Sequence, residues 1–383
     1  MAEIEFRTND SDHVVKNDGE KTALIAMSGG VDSSVAAFEM VKKGYKCMGC
    51  TMRLYDNDMI GEDLLGTCCS INDTNDARAV CDRIGIPYNI YHYEAEFRDK
   101  VIEPFVRSYE NGETPNPCIR CNRYLKFDSL YKKAQEMGYD YIVTGHYARI
   151  REKDGHFYLL KAVDSNKDQS YVLYDLTEEQ LSHTAFPLGE YTKDKVREIA
   201  DENGFVTSHK KESQDICFVP DGDYAGMIQR YRGHDYPKGN FVDLEGNVLG
   251  EHDGIINYTI GQRRGLGIPA DRRLYVTRLD VAKNEVTLAD NSDLFKTSLI
   301  IRDFHWITGD APTEGYRCSA KIRYRHKEQP ATLYVLDDST ARLVFDEPQR
   351  AITAGQSAVL YDGEIVLGGG IIDHVINDDD VNI

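Results

Sequence analysis

The sequence of 383 residues lacks several features that would assign it to a familiar class. No apolar run reaches the roughly 18 residues of a membrane-spanning helix. The polar, acidic start has neither the basic residues nor the apolar core of a signal peptide. Internal repeats and the Walker sequence GxxxxGK[ST] are also missing. We therefore expect a cytoplasmic protein with no membrane partner and roughly two or three domains.

Positive charge is also scarce, because 45 Lys and Arg face 64 Asp and Glu, for a net charge of −19. This balance argues against a nucleic-acid partner. The charge is uneven, however. Residues 317–327 hold five Lys or Arg and no acid, and residues 262–273 hold four arginines against one aspartate. Such stripes can contact phosphates, although composition alone slightly favours solvated strand faces.

Residues 22–34, TALIAMSGGVDSS, are the most informative stretch. The apolar run 23–27 predicts a buried parallel strand, followed by a glycine-rich turn and an amphipathic helix. This arrangement offers free backbone N–H groups and a helix N-terminus to a phosphate. SGGVDSS resembles the loop of the PP-loop ATP pyrophosphatases, which cleave ATP between the α and β phosphates and transfer AMP to an oxygen.

Apolar strands alternate with helical patterns up to about residue 150, which predicts an α/β fold with a doubly wound parallel sheet. Residues 144–147, TGHY, follow a predicted strand and should lie at the same edge of the sheet as the SGGVDSS loop. The predicted strands are 22–27, 46–53, 87–92 and 140–144, and the predicted helices are 33–43, 73–84, 95–110 and 123–137. Short β-like runs at 156–162 and 169–176 and a helix at 192–203 follow.

The later sequence suggests two further units. We place a flexible extension at 1–20, the catalytic α/β domain at 21–212, a small central domain at 213–294 and a C-terminal domain at 295–383. Closely spaced turns in the last domain predict a small antiparallel β-barrel. Its predicted strands are 320–324, 331–335, 341–345, 357–361 and 364–371, and an acidic tail follows at 377–380.

Nine cysteines without a signal peptide indicate chemistry or metal binding rather than a disulfide scaffold. Cys118 and Cys121, in TPNPCIRCNR, lie where a helix should begin beside two arginines, so we expect lowered thiol pKa values. A redox pair, half of a zinc site and chance spacing stay open. The other CxxC, Cys47 and Cys50, lies in a predicted strand whose alternation disfavours a four-cysteine zinc site.

The other cysteines are predicted to be structural. Cys217, between Ile216 and Phe218, would ordinarily be a buried core residue. The adjacent Cys68 and Cys69 are interpreted as structural or surface residues. Cys47, Cys50, Cys81 and Cys318 are expected in the core.

Together these segments resemble one family, the tRNA-specific 2-thiouridylases (MnmA/TrmU). The matching segments run in unbroken order from about residue 22 to about residue 373. They are SGGVDSS at 28–34, Met52-Arg53, TPNPCIRCNRYLKF at 114–127, TGHYAR at 144–149, KDQSYVL at 167–173, KESQDICF at 211–218, YTIGQRRGLG at 258–267 and AGQSAVLY at 354–361.

The resemblance implies a role for each matching residue. Asp32 is needed for ATP turnover, Cys121 is the nucleophile, and Cys217 carries persulfide sulfur and forms a disulfide with Cys121. The expected ATP-binding residues are Ala26, Met27, Ser28, Gly29, Gly30, Val31, Asp32, Ser33, Ser34, Met52 and Gly145. The expected tRNA-binding residues are Asn116, Pro117, Cys118, His146, Lys167, Asp168, Gln169, Arg323, Tyr324 and Gln356; the first three lie against the target base.

The implied reaction is adenylation of the C2 oxygen of wobble uridine (position 34) by ATP and Mg²⁺, followed by sulfur transfer. The implied partners are tRNAs for lysine, glutamate and glutamine, and a sulfur donor, either a cysteine desulfurase or a sulfur-relay carrier. Many family members have Asp in place of Cys118. Here Cys118, Cys121 and Cys217 are three thiolates, enough to hold a [4Fe–4S] cluster with one open iron. The persulfide and cluster routes both stay open.

Two other functions remain as alternatives. Amidating ligases similar to GMP synthetase also use SGGVDSS, but they need neither paired catalytic cysteines nor strands that contact tRNA. A module that binds RNA or a sulfur carrier, with a degenerate loop, would not turn over ATP.

Overall fold

The computed structural model describes residues 21–55, 71–210, 216–312 and 315–376. The predictions for 1–20, for Cys68 and Cys69 and for the tail at 377–380 lie outside the described residues. So do the first five residues of KESQDICF, 211–215. Within the described part of the chain, no helix is long and apolar enough to cross a bilayer.

The first sheet has five parallel strands in the order β3-β2-β1-β4-β7. The strands of the described residues are β1 Thr22–Ala26, β2 Lys46–Arg53, β3 Tyr88–His92, β4 Tyr141–Val143, β5 Arg149–Lys153, β6 His156–Leu160, β7 Thr184–Ala185, β8 Gly239–Val242, β9 Val248–His252, β10 Tyr275–Asp280, β11 Glu285–Ala289, β12 Phe295–Trp306, β13 Tyr316–Lys321, β14 Gln329–Val335, β15 Ala341–Arg350, β16 Ser357–Asp362 and β17 Ile365–Ile376. The middle of β1 is fully buried, because helices cover both faces of a parallel sheet.

Helices follow most strands of this sheet. They are α1 Val31–Lys42, α2 Ile71–Ile84, α3 Glu94–Phe97, α4 Glu103–Glu110, α5 Pro117–Cys121, α6 Leu130–Glu136, α7 Glu178–Ser182, α8 Lys193–Glu202 and, in the central unit, α9 Tyr224–Arg232. Segments with π-type hydrogen bonding, Arg98–Ile102 and Asn122–Ser129, join α3 to α4 and α5 to α6. The helices predicted at 95–110 and 123–137 therefore form as composite helices.

The central unit is a mixed four-stranded sheet in the order β10-β11-β8-β9, in which β8 runs parallel to β11 and the other pairs are antiparallel. Its helix α9 is bound to α4 through Arg232. The guanidinium donates to both carboxylate oxygens of Glu103 and of Glu110, at 2.8–3.1 Å. The central unit is thus held against the first domain by a network of ion pairs.

The C-terminal unit is a closed antiparallel barrel, because β12, β15, β14, β13, β16 and β17 pair in turn and β17 pairs back with β12. The hairpin β5–β6 of the first domain extends the same sheet. Leu160 pairs with Ile365, and Leu159 with Val366. The barrel therefore shares a continuous sheet with the catalytic domain.

The predicted parallel sheet and barrel are confirmed, with local differences. The β-like run predicted at 169–176 is wrong, since Ser170–Leu173 forms a 3₁₀ turn. The strand predicted at 320–324 ends at Lys321, and β12 was not predicted. Cys47 and Cys50 lie in different apolar clusters on opposite faces of β2, as the alternation predicts.

Candidate active site

The loop between β1 and α1 is drawn into a tight turn by its serine hydroxyls. The Ser33 hydroxyl donates to the Gly30 carbonyl at 3.1 Å and accepts from the Ser28 N–H at 3.2 Å. The Ser34 hydroxyl donates to the same carbonyl at 2.9 Å. Gly29 has φ +71°, and a Cβ there would lie 2.3 Å from the Asp73 carbonyl oxygen. The turn thus needs glycine both for its backbone angle and for its contact with α2.

The turn after β4 lies directly against the start of α1. A Cβ on Gly145 would lie 2.8 Å from the Ser33 nitrogen. The two loops are therefore at the same edge of the sheet, as their positions after parallel strands predict. Met52, near the end of β2, and Met27 are buried beneath this edge.

Asp32, in the first turn of α1, is held by two side chains. The Lys193 ammonium donates to its two oxygens at 2.7 and 2.9 Å, and the Tyr147 hydroxyl donates at 2.7 Å. The Lys193 side chain is only 8% exposed, against 32% for Asp32. The carboxylate of Asp32 is the acidic side chain of the loop that could hold Mg²⁺ beside substrate phosphates, and the catalytic role expected of it stays a prediction.

A second lysine, Lys210, lies on the other side of the loop. Its ammonium donates to the Gly29 carbonyl at 3.0 Å and to Asp73 and Asp76 at 2.5 and 2.6 Å. Burial tends to lower the pKa of Lys210, but the hydrogen bonds to the two carboxylates raise it above its usual value. The lysine is therefore a cation at neutral pH.

The SGGVDSS loop at residues 28–34, which we call the phosphate loop, faces the barrel across a cavity of about 930 Å³. Ser28, Gly30 and Asp32 line one side. The other side is formed by two loops, 165–169 and 324–328, together with Lys321 at the end of β13. The basic residues in its lining are Lys167, Lys193, Lys210, Lys321, Arg325 and Lys327. The basic stripe at 317–327 thus contributes directly to the cavity that contains the phosphate loop.

Three of the expected tRNA-binding residues lie in the 165–169 loop. The carboxylate of Asp168 accepts from Ala162 N–H at 3.0 Å and from the Ser170 hydroxyl at 2.8 Å, so it shapes the loop. Gln169 accepts from the Tyr147 N–H at 2.9 Å. Lys167 lines the cavity, as does Tyr324, which is 41% exposed.

Other expected tRNA-binding side chains are engaged inside the protein. Arg323 donates to the Ala351 carbonyl and, at 2.7 Å, to Thr353. Gln356 donates to the Thr114 carbonyl at 2.6 Å, which joins the barrel to the segment before α5.

His146 is buried between Phe127 and Phe186, and its Nδ1 lies 2.7 Å from the Thr144 hydroxyl. Burial lowers its pKa well below the usual range. These placements give Arg323, Gln356 and His146 structural contacts, and their direct contact with RNA stays a prediction.

Cys118 and Cys121 are on α5, whose start is fixed by Asn116 and Pro117. Asn116 Oδ1 accepts from the Cys118 N–H at 3.1 Å, and proline occupies the first helical position. Cys118 is exposed, and Cys121 is buried at 8% exposure. The helix predicted at 123–137 therefore begins earlier, at Pro117, and both cysteines lie within it rather than before it.

Cys217 is half-buried against the same apolar cluster that contains Cys121. Its carbonyl accepts from the Tyr55 hydroxyl at 3.0 Å. Phe218, the next residue, packs edge-on against Phe97 and Phe105. Cys217 thus lies at the margin of the core. It is partly buried, as a core cysteine would be, but part of its surface remains accessible to solvent.

The three cysteines do not form a ready metal site. Among the residues that the structure describes, no three His, Cys, Asp or Glu side chains converge closely enough to hold a metal ion. A [4Fe–4S] cluster on Cys118, Cys121 and Cys217 therefore stays a prediction. The two expected neighbouring arginines are engaged elsewhere: Arg120 donates to the Lys100 carbonyl, and Arg123 pairs with Asp175.

Sequence reasoning missed Lys193, Lys210 and Tyr147 as parts of the site. Tyr147 lies in the quoted TGHYAR segment, and its position two residues after Gly145 was the available signal. Nothing in the local patterns around Lys193 and Lys210 distinguishes them from surface lysines. Their contacts with Asp32 and Asp73 depend on the folding of α8 and of the turn before residue 211.

A phosphate loop on a parallel sheet, enclosed by a basic barrel loop, defines a class of ATP-utilising α/β enzymes. Family models described as "tRNA methyl transferase HUP domain", "tRNA methyl transferase PRC-barrel domain" and "Aminomethyltransferase beta-barrel domain" match residues 21–221, 225–290 and 296–372. The chain belongs to the MnmA family of tRNA-specific 2-thiouridylases.

Its relatives are similar over nearly their full length. The tRNA-specific 2-thiouridylase of Clostridium botulinum (strain Alaska E43) is 49% identical over 93% of this chain and 99% of its own. The same enzyme of Clostridioides difficile is 49% identical over 92% and 98%, and that of Carboxydothermus hydrogenoformans 48% over 93% and 98%. NMN synthetase of Francisella tularensis is 18% identical over 57% of this chain and 79% of its own, with a TM-score of 0.32.

Proposed function

We propose that this protein is an ATP-dependent tRNA-uridine 2-sulfurtransferase that converts wobble uridine to 2-thiouridine and releases AMP and pyrophosphate. The observation that carries this proposal is the shared cavity of the phosphate loop and the basic barrel loop. This cavity is lined by the loop whose N–H groups would bind ATP and by Lys321, Arg325 and Lys327. The near-full-length identity to named 2-thiouridylases supports the same reaction.

The first step makes the C2 oxygen of uridine a leaving group. That oxygen attacks the α phosphorus of ATP, which forms the O–P bond and breaks the bond to pyrophosphate. The loop N–H groups and the N-terminus of α1 stabilise the negative charge that develops on the departing pyrophosphate. Asp32 would hold Mg²⁺, which neutralises phosphate charge when bound.

The second step delivers sulfur through Cys217 and Cys121. The terminal sulfur of a Cys217 persulfide attacks C2, and AMP leaves with the C2 oxygen. The Cys121 thiolate then attacks the Cys217 sulfur, which forms a Cys121–Cys217 disulfide and leaves the transferred sulfur on C2. An external thiol must reduce this disulfide before the next turnover. The common apolar cluster behind both cysteines supports their pairing.

Two partners follow from this chemistry. The persulfide must be loaded by a cysteine desulfurase or a sulfur-relay carrier. The RNA partners are the lysine, glutamate and glutamine tRNAs. Of the two sulfur routes, the proposal uses the persulfide route, because Cys121 and Cys217 pack in and against one apolar cluster. Iron and sulfide in the anaerobically purified protein would favour a [4Fe–4S] cluster on Cys118, Cys121 and Cys217 instead.

Cysteine variants test the proposal with purified protein, tRNA, ATP and a sulfur donor. Cys121→Ser and Cys217→Ser should each abolish 2-thiouridine while ATP binding persists. Cys318→Ser is the matched control, since burial raises the pKa of this barrel thiol to about 12. Mass spectrometry of position 34 measures the product.

The outcomes separate the alternatives. An amidating ligase would retain activity in Cys121→Ser, and a binding module would show no conversion of ATP to AMP in the wild type. Unchanged 2-thiouridine in cells that lack the protein would refute the proposal.

A further inference from the structure

Lys210 occupies an unusual position beside the phosphate loop, because each of its three ammonium protons has an oxygen within hydrogen-bond distance. One acceptor is the carbonyl of Gly29, in the loop itself, and the others are the carboxylates of Asp73 and Asp76. The Lys210 side chain is 31% exposed, and that of Asp73 is 9% exposed. The lysine therefore links the loop to the first turns of α2.

The turn that carries Lys210 is fixed to the loop at a second point. Thr207, which is fully buried, donates from its hydroxyl to the Ser34 hydroxyl at 2.9 Å. Ser34 in turn donates to the Gly30 carbonyl. The Lys210 N–H donates to the Thr207 carbonyl at 3.0 Å. The position of the ammonium is thus set by the same hydrogen bonds that shape the phosphate loop.

The two carboxylates present an electrostatic problem for ATP. Asp73 lines the same cavity as Ser28 and Gly30, so its charge faces the space that a triphosphate would enter. Asp76 lies one helical turn further along α2. Like charges repel strongly where protein displaces water, and two uncompensated carboxylates would oppose phosphate binding.

We propose that Lys210 is a positioning residue for ATP, which keeps Asp73 and Asp76 neutralised and tied to Gly29. It acts through these carboxylates and the loop rather than by serving as a phosphate ligand. Gly29 allows this arrangement, because any side chain there would collide with the Asp73 backbone. The inference rests on the proposed function only in that the loop binds ATP.

A charge-compensation series tests the proposal by equilibrium dialysis of the full chain with ATP and Mg²⁺. Lys210→Met should raise the Kd by about tenfold, the scale expected for one nearby unit charge. Asp76→Asn alone should change the Kd by less than about threefold. The double variant combines Lys210→Met with Asp76→Asn. Its Kd for ATP should return to within about threefold of the wild type, because the loss of one carboxylate compensates for the loss of the ammonium.

Two controls define the result. Lys195→Met removes the same charge from the exposed lysine of α8 that pairs with Glu198, and it should leave the Kd within about twofold. Lys210→Arg keeps the charge and should lose less affinity than Lys210→Met. If Lys210→Met should fail to fold, the arginine and double variants still give the comparison. High salt should reduce the difference in Kd for ATP between Lys210→Met and the wild type, because dissolved ions screen the charges.

Other outcomes would overturn the inference. Normal ATP affinity in Lys210→Met would show that the ammonium is not needed. A double variant no better than Lys210→Met would assign Lys210 a direct contact with phosphate instead. Both results are separable from the proposed function: a wild type that binds ATP but leaves uridine unthiolated contradicts that function alone.

Discussion

Asp32 and Lys193 form an ion pair whose two members differ in burial, and the difference predicts an asymmetric response to mutation. Asp32→Asn leaves the ammonium of Lys193 buried beside a neutral group, which should lower the free energy of unfolding by about 1–3 kcal/mol. Lys193→Met should lower the free energy of unfolding by less than Asp32→Asn does, because water can reach the carboxylate of Asp32. Urea unfolding followed by circular dichroism measures both.

Tyr147→Phe is the control for this pair, since it removes a hydrogen bond to Asp32 without changing charge. It should cost about 1 kcal/mol. A larger loss in Lys193→Met than in Asp32→Asn would contradict the assignment of the buried charge to the lysine.

At the scale of elements, helices α4 and α9 are joined by carboxylates whose ionisation should govern stability in acid. Hydrogen bonds, first from Arg232 and then from Arg107, lower the pKa of Glu103 to about 2. The folded-state pKa lies below the ordinary value of 4.5. The contribution is therefore complete above about pH 4.5 and is lost as the pH falls toward about 2.

Arg232→Met should remove much of this dependence. We expect the variant to unfold at a lower urea concentration than the wild type at pH 6. This difference in urea midpoint should become smaller as the pH falls below 4.5. Urea midpoints between pH 6 and pH 3 measure the change. Arg230→Met is the control, since the Arg230 guanidinium lies 4.0 Å from the Asp223 carboxylate and forms only a weak ion pair. A constant gap across this range would contradict the role of Glu103.

Much of this architecture could be predicted from local sequence, and the exceptions have physical causes. The buried runs of β1 and β2 are continuous, so they indicate parallel strands without further information. Residues 169–176 contain the apolar run 171–174, but Tyr171 and Tyr174 turn their hydroxyls to Ser357 of the barrel. Tertiary hydrogen bonds there favour a 3₁₀ turn over a strand. β12 carries Arg302 and His305 among its apolar residues, which weakens the strand pattern.

The candidate site was only partly predictable for the same reason. The phosphate loop and Cys121 lie in contiguous motifs, which makes them visible in one sequence. Lys193 and Lys210 act through partners more than 100 residues away. Such contacts depend on the tertiary fold, and local periodicity does not encode them.

At the scale of the whole molecule, β6 of the first domain pairs with β17 of the barrel. This shared sheet predicts that the stability of the first domain depends on the presence of the barrel. A protein that ends at Leu294 would expose Leu159 and Leu160, which are buried here. It would also remove Ser357, the partner of two buried tyrosines. We expect it to melt at least about 10 °C below the full chain.

Thermal unfolding and size-exclusion chromatography measure this loss. Addition of a separately produced 295–383 fragment is the control, and it should recover part of the stability. A truncated protein that is monomeric and melts at the temperature of the full chain would contradict the dependence.

The pairing of β6 with β17 also has a consequence for the order of synthesis. Lys161 donates to the carbonyl of Gly363, a contact across 202 residues. A ribosome must therefore complete nearly the whole barrel before the hairpin finds its partner strand, and contacts of such separation form slowly. Until then Lys321, Arg325 and Lys327 of the barrel are not held opposite the phosphate loop. A nascent or interrupted chain would therefore carry the phosphate loop without the basic barrel loop, and the cavity that they share would form only after the barrel has been translated.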